Sequence, residues 1–250
     1  MLIKALILSA FIVSTATFAC QSGKISEKVK VKFVYDGDTF YLEDKRKVRI
    51  IGIDTPEMKH HNQTGEAFAA EATEALRELL YKYNNQVQLQ IGEDAYDRYG
   101  RLLAYVFLPD GTNISKWMLT RGFATTLFIP PNLKYLDCFT KAERKAQSKQ
   151  KNIWKQKSFH LQVADLLNKE HTGYTRLVGR VKRVKHNKRS IIIYLRGGIR
   201  IKILQSDLHY FKHVKLDDLQ GKRISVTGIL RKKGKYRTIH VKHPVYLNIM

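Results

Sequence analysis

The sequence predicts a mainly β, α+β chain in two small domains, the second an OB-like β-barrel. Three observations carry this. Short runs of alternating apolar and polar residues recur between turn-forming dipeptides. Three segments with helical spacing fall in the first 150 residues, without the sustained strand-helix alternation of a doubly wound sheet. Charge then divides the chain: residues 21–170 hold 24 basic against 19 acidic side chains, a net of +5, whereas residues 171–250 hold 20 against 3, a net of +17.

The first domain, residues 21–157, opens with alternation over residues 28–35, 39–42 and 47–53. Asp36-Gly37 and residues 43–46 serve as turns, which predicts antiparallel strands. Over residues 66–83 the period changes. Phe68, Ala72, Ala75, Leu76, Leu79 and Tyr83 draw one apolar stripe, with acidic residues gathered near the start, as a helix requires. Strands are expected at 87–91 and 102–107, a short helix at 114–120 and a charged amphipathic helix at 133–150. Residues 158–170 read as a linker or short helix. The second domain, 171–250, shows five strand-like runs at 174–182, 190–196, 199–204, 224–230 and 237–241, the number an OB-like barrel needs.

Residues 1–19 place Lys4 ahead of an apolar run and a small, hydroxylated stretch ending at Ala19, the organisation of a secretory signal. The run is short for a membrane span. Ala19-Cys20 is compatible with cleavage to a soluble chain and also resembles the end of a bacterial lipoprotein signal. Secretion, a periplasmic location and a lipid tether at Cys20 are therefore all open. Only Cys20 and Cys138 are present, so at most one disulfide forms and a cysteine zinc cluster is excluded. The overall charge of +23 points to polyanionic partners and names no chemistry.

Chemistry is expected where short strands end. Asp36-Gly37-Asp38-Thr39 and Asp54-Thr55-Pro56-Glu57 are each ordinary turn sequences. Together they offer Asp38 and Asp54 as carboxylate ligands to one hard divalent cation, leaving Glu57 to activate water. Arg49 lies between them and Arg101 follows in Asp97-Arg98-Tyr99-Gly100-Arg101, so two guanidiniums are available to a phosphodiester. His60-His61 is the only adjacent histidine pair and is weaker as a metal site.

The segments VYDGDTF, VRIIGIDTPE, DRYGR and NIS with the later RGFA resemble those of the thermonuclease family, typified by staphylococcal nuclease, over residues 29–154. The resemblance implies an OB-type barrel with helices and a Ca2+-dependent phosphodiesterase acting on DNA and RNA, leaving 3'-phosphate ends. It also implies residue roles. Asp38, Asp54 and the Thr55 carbonyl match the calcium ligands, Glu57 the general base, and Arg49 and Arg101 the phosphate-binding arginines. Tyr99, with Arg98 beside it, matches a tyrosine at a terminal phosphate. Phe128 departs from the pattern, standing where a tyrosine lies near the nucleotide; it can stack on a base but has no hydroxyl to donate.

In the basic domain, Arg180, Lys182, Arg183, Arg196, Arg200 and Tyr236 are expected to track phosphates and stack bases. The whole is expected to act as a monomer. The competing class is a catalytically inactive nucleic-acid-binding protein of the cell envelope.

Overall fold

The computed structural model describes residues 20–58, 65–234 and 236–250. The expected signal segment, 1–19, and His60-His61 lie outside these residues. The first half contains β1 (Glu27–Asp36), β2 (Thr39–Leu42), β3 (Lys47–Ile50), β4 (Gly52–Asp54), α1 (Ala69–Tyr81), β5 (Gln86–Tyr96), β6 (Leu102–Phe107), α2 (Ile114–Arg121), β7 (Thr125–Leu127) and α3 (Leu136–Ser148). The second contains β8 (Leu161–Val163), β9 (Gly173–Asn187), β10 (Ser190–Leu195), β11 (Ile199–Leu204), β12 (Arg223–Lys233), β13 (Tyr236–His240) and β14 (Leu247–Ile249).

Strands β1-β2-β3-β6-β5 close into a barrel, antiparallel except for the parallel β3–β6 pair. Strands β9-β10-β11-β13-β12 close in the same order, again with one parallel pair, β11–β13. Numbered within each barrel the order is 1-2-3-5-4-1, the five-stranded Greek-key arrangement of the OB-fold. The mainly β, two-barrel reading thus holds. Between third and fourth strands the first barrel inserts α1, and the second inserts 3₁₀ segments at Gln205–Phe211 and Asp217–Leu219. Segment 158–170 contains β8, which pairs in parallel with β9, flanked by short 3₁₀ turns.

The predicted strand over 47–53 breaks in two at Gly52, whose φ is +89°. A Cβ there would lie 2.3 Å from the Phe139 ring, so only glycine lets the chain leave β3 and pair as β4 with β7. Helix α1 starts later than its apolar stripe because Phe68, at φ +71°, is left-handed and outside the helix. It ends before Asn84 and Asn85, also left-handed, a conformation asparagine tolerates.

Ala72, Leu76 and Leu80 bury the α1 stripe in a core with Phe40, Phe107 and Phe139. Ile193, Ile201, Ile203, Val226 and Ile239 fill the second barrel. The two halves are packed together by Tyr246, which touches both cores, and by Trp154, Phe159 and Tyr174, where Phe159 and Tyr174 stack with centroids 4.9 Å apart. Cys20 and Cys138 form a disulfide that ties the segment before β1 to α3. Among the described residues no helix is long and apolar enough to cross a membrane.

Candidate active site

The β1–β2 turn and the end of β4 meet at one end of the first barrel. Close approach is built into the turn, since a Cβ on Gly37 would lie 2.9 Å from the Thr55 side chain and 3.0 Å from Ala72. Held there, Asp38 accepts a 3.0 Å hydrogen bond from the Thr55 amide and a 2.9 Å bond from the Thr39 hydroxyl. Asp36 accepts from the Asp38 amide at 3.2 Å.

Arg49 is paired with Thr39 across β2 and β3 and points into this cluster. Its Nη1 contacts Asp38 Oδ2, and its Nη2 donates to Asp54 Oδ1 at 2.8 Å. Arg49 and Asp38 are buried, and Asp54 is partly exposed. One guanidinium therefore lies between the two carboxylates that the sequence singled out.

The charge balance around it is negative. Burial raises the pKa of Asp36, opposed by Arg49, the Thr39 hydroxyl, Lys47 and Arg101. Burial also raises that of Asp54, against Arg49, with Asp36 adding repulsion and Arg101 relief. Glu57 is raised by desolvation first and then by Asp36 and Asp54. Asp36, Asp54, Glu57, Arg49 and Arg101 thus share one local field. Asp36 is a member that the sequence reading used only as turn material; its spacing of two from Asp38 was the available signal.

The oxygen-only donor set of Asp38, Asp54 and the Thr55 carbonyl fits a hard divalent cation. Two of these oxygen groups already converge on one positive group. Among the described residues no three acidic, histidine or cysteine side chains form a ready cage, so main-chain oxygen and water would complete a shell.

Arg101 is set by a tight turn. Asp97 accepts from Arg101 Nε at 2.6 Å and from the amides of Tyr99 and Arg101 at 2.9 and 3.0 Å. Partial burial opposes ionisation of Asp97, but these bonds prevail and hold its pKa low. Tyr99 is 68% exposed, with Arg98 over its ring at 4.7 Å and Arg101 at 5.6 Å.

Residues 47–156 match the family model described as staphylococcal nuclease homologue. The thermonuclease of Staphylococcus intermedius is 37% identical over 131 residues, covering 51% of this chain and 76% of that protein. The chain belongs to the thermonuclease family. The thermonuclease of Staphylococcus hyicus is 33% identical over 161 residues, 60% of this chain and 94% of the relative. Endonuclease YncB of Bacillus subtilis is 35% identical over 128 residues, 50% of this chain and 60% of the relative. Family membership makes the chain a nuclease, and the family-model match stops at residue 156, ahead of the second barrel.

Against the thermonuclease barrel, Phe128 needs correction. It is 3% exposed, lies 6.5 Å from Phe139 and 5.9 Å from Tyr246 between ring centroids, and has no free face for a base. The covering residue, Tyr246, comes from the second half of the chain.

The six residues expected to bind substrate in the second barrel do not form one group. Arg183, Arg200 and Tyr236 gather on the β9-β10-β11-β13 face. Arg180 instead donates to the Gly221 carbonyl at 2.7 Å and faces Arg223 across β9 and β12. Lys182 falls at the irregularity in β9 pairing, and Arg196 begins the turn between β10 and β11. Tyr194, Lys202 and Arg231, which the sequence reading missed, join the first three; strand alternation was the signal, but it needs the register to be read.

Proposed function

We propose that the chain is a Ca2+-dependent endonuclease that hydrolyses phosphodiester bonds in DNA and RNA and leaves 3'-phosphate ends. The observation that supports this best is Arg49 held between Asp38 and Asp54, with Glu57 and Arg101 in the same field.

Asp38, Asp54 and the Thr55 carbonyl are the residues that would hold the ion. The chemistry a bound Ca2+ supplies here is charge neutralisation at the phosphate and acidification of nearby water. Glu57, its pKa raised by desolvation and neighbouring acids, takes the proton from the attacking water. The water oxygen bonds to phosphorus, the bond to the 5'-oxygen breaks, and that oxygen leaves as a hydroxyl after taking up a proton. Arg49 and Arg101 grip the nonbridging oxygens as charge grows on them. Asp38 and Asp54, which now pair with Arg49, are the carboxylates that would hold the ion, and Arg49 would then be available to a phosphate. This reading assigns Arg98 and Tyr99 to a terminal phosphate; their exposure on the turn beside Arg101 supports it.

The nuclease reading is joined to export after removal of residues 1–19 and to action as a monomer. A disulfide between Cys20 and Cys138 accords with an oxidising, extracytoplasmic compartment. A lipid thioether needs the same Cys20 sulfur, so the disulfide-bonded form is the untethered one. Mass measurement of the mature N-terminus separates the two.

The test is cleavage of single-stranded DNA, duplex DNA and RNA by the full mature chain in Ca2+, Mg2+ or EDTA, with product ends analysed. Cleavage of all three in Ca2+ to 3'-phosphate ends is expected, with none in EDTA. Undiminished cleavage in EDTA, or 5'-phosphate ends, contradicts the reading; salt-sensitive binding without any cleavage favours the binding-only class.

A further inference from the structure

The outward face of the second barrel carries an ordered set of side chains that the cleavage chemistry does not use. In register across the strands, Arg183 of β9 faces Tyr194 of β10, and Tyr194 faces Arg200 of β11. Arg200 in turn faces Thr238 of β13, and Thr238 faces Arg231 of β12. Two residues along, Lys185, Ile192, Lys202 and His240 make the next row. Alternate residues of a strand share a face, so both rows project outward while Ile191, Ile193, Ile201 and Ile239 fill the barrel.

Two arginines are arranged on tyrosines. The Arg183 guanidinium lies 4.3 Å from the Tyr194 ring centroid, and that of Arg200 lies 3.8 Å from Tyr236. Arg200 is fixed further by donating from Nε and Nη2 to the Thr238 hydroxyl at 3.2 and 2.9 Å. Neither row contains a carboxylate. The three acidic residues beyond position 171, Asp207, Asp217 and Asp218, all lie in the 3₁₀ segments between β11 and β12. The positive field is felt at His240, whose pKa is lowered by burial and then by Lys202, Arg231, Lys242 and Arg200.

Like charges placed together in a sheet repel, and a polyanion laid across them relieves that repulsion. A guanidinium seated on an aromatic ring is a pre-set planar cation that accepts a base by stacking and a phosphate by hydrogen bonding. The two arginine–tyrosine pairs lie about two strand spacings, ~10 Å, apart. Stacking needs bases that are not already paired, which favours a single strand over a duplex. A lipid surface fits less well, because the one large apolar side chain in the two rows, Ile192, is 7% exposed and offers nothing to insert.

We propose that this face binds single-stranded nucleic acid, with Arg183, Arg200, Lys202 and Arg231 on the phosphates and the Arg183–Tyr194 and Arg200–Tyr236 pairs as stacking platforms. The site goes beyond the cleavage chemistry and stands without it, since binding here needs neither metal nor Glu57.

The experiment is fluorescence anisotropy of a labelled oligothymidylate with the full mature chain in EDTA. Arg183→Gln/Arg231→Gln removes two exposed charges from the face, and Arg200→Ala/Tyr236→Ala removes one platform. Lys212→Gln/Lys215→Gln removes two charges from the 3₁₀ region at the barrel end. Each face variant is expected to weaken the single-strand Kd about 10-fold or more, and the control by less than about 2-fold. The platform variant is also expected to lose any preference over duplex of the same length. Equal weakening by the face and control pairs would show bulk charge alone and overturn the site, as would unchanged binding in both face variants. Tighter binding to anionic phospholipid vesicles than to the oligonucleotide, lost in the same face variants, would assign the face to membrane instead. Circular dichroism melting checks folding of the platform variant; should it unfold, the exposed Arg183→Gln/Arg231→Gln pair decides alone.

Discussion

The Tyr246 hydroxyl accepts a 2.7 Å hydrogen bond from the Phe128 amide and, in the other direction, donates at 3.1 Å to the Thr126 carbonyl. One side chain from the second half of the chain thus satisfies two backbone groups along and beside β7, the strand that pairs with β4 and Asp54. Tyr246→Phe keeps the ring and leaves both groups without this partner. A loss of about 1–3 kcal/mol is expected in urea unfolding. Deletion of residues 171–250 removes Tyr246 and Tyr174 together, uncovers Phe128 and Trp154, and is expected to cost more than Tyr246→Phe. Unchanged stability in both would show that the halves are independent.

Glu143 is buried beneath the same strand, accepting from the Thr126 amide at 2.7 Å and from its hydroxyl at 3.1 Å. Desolvation raises its pKa despite these bonds. The folded state therefore holds the Glu143 proton more tightly than the unfolded one, and ionisation costs stability as pH rises from the ordinary carboxylate value towards the folded one. Glu143→Gln cannot ionise. Its stability relative to the native chain is expected to improve as pH rises above the ordinary carboxylate range in denaturant titrations; a difference that stays flat with pH would refute the assignment.

Arg49 occupies carboxylate oxygens that the proposed ion needs. Arg49→Ala removes the competing cation, so calorimetric Ca2+ affinity without nucleic acid is expected to rise about 3- to 10-fold. Cleavage is expected to fall about 10²- to 10⁴-fold in the same variant, through lost phosphate stabilisation. Weaker Ca2+ binding would mean that Arg49 organises the carboxylates and does not compete for them.

The Cys20–Cys138 bridge spans 118 residues of sequence. By chain entropy such a link stabilises by about 2–5 kcal/mol. Cys138→Ser, or reduction of the native chain, is expected to lower the urea midpoint, and reductant should then leave the Cys138→Ser variant unmoved.

Local features were legible in the sequence because their causes are local. Alternation located the barrel strands, the α1 stripe gave its helix, and the two Asp-bearing turns with Arg49 and Arg101 marked the candidate site. What escaped depends on residues far apart. Phe128 reads as an available aromatic until Tyr246, 118 positions later, covers it. Asp36 looks like turn material until the β1–β2 pairing puts it beside Arg49. The basic residues of the second barrel could be counted, but Arg183, Tyr194, Arg200 and Arg231 become one row only through strand register.

The most direct measurement is the single-turnover cleavage rate of Glu57→Gln against the native chain on single-stranded DNA in saturating Ca2+, with DNA affinity measured alongside. The predicted result is a fall of about 10²-fold or more in rate with affinity within about 2-fold, as loss of a general base requires. A rate within about 2-fold of native would contradict the assignment of Glu57 and of the Asp38–Arg49–Asp54 cluster beside it as the reacting centre.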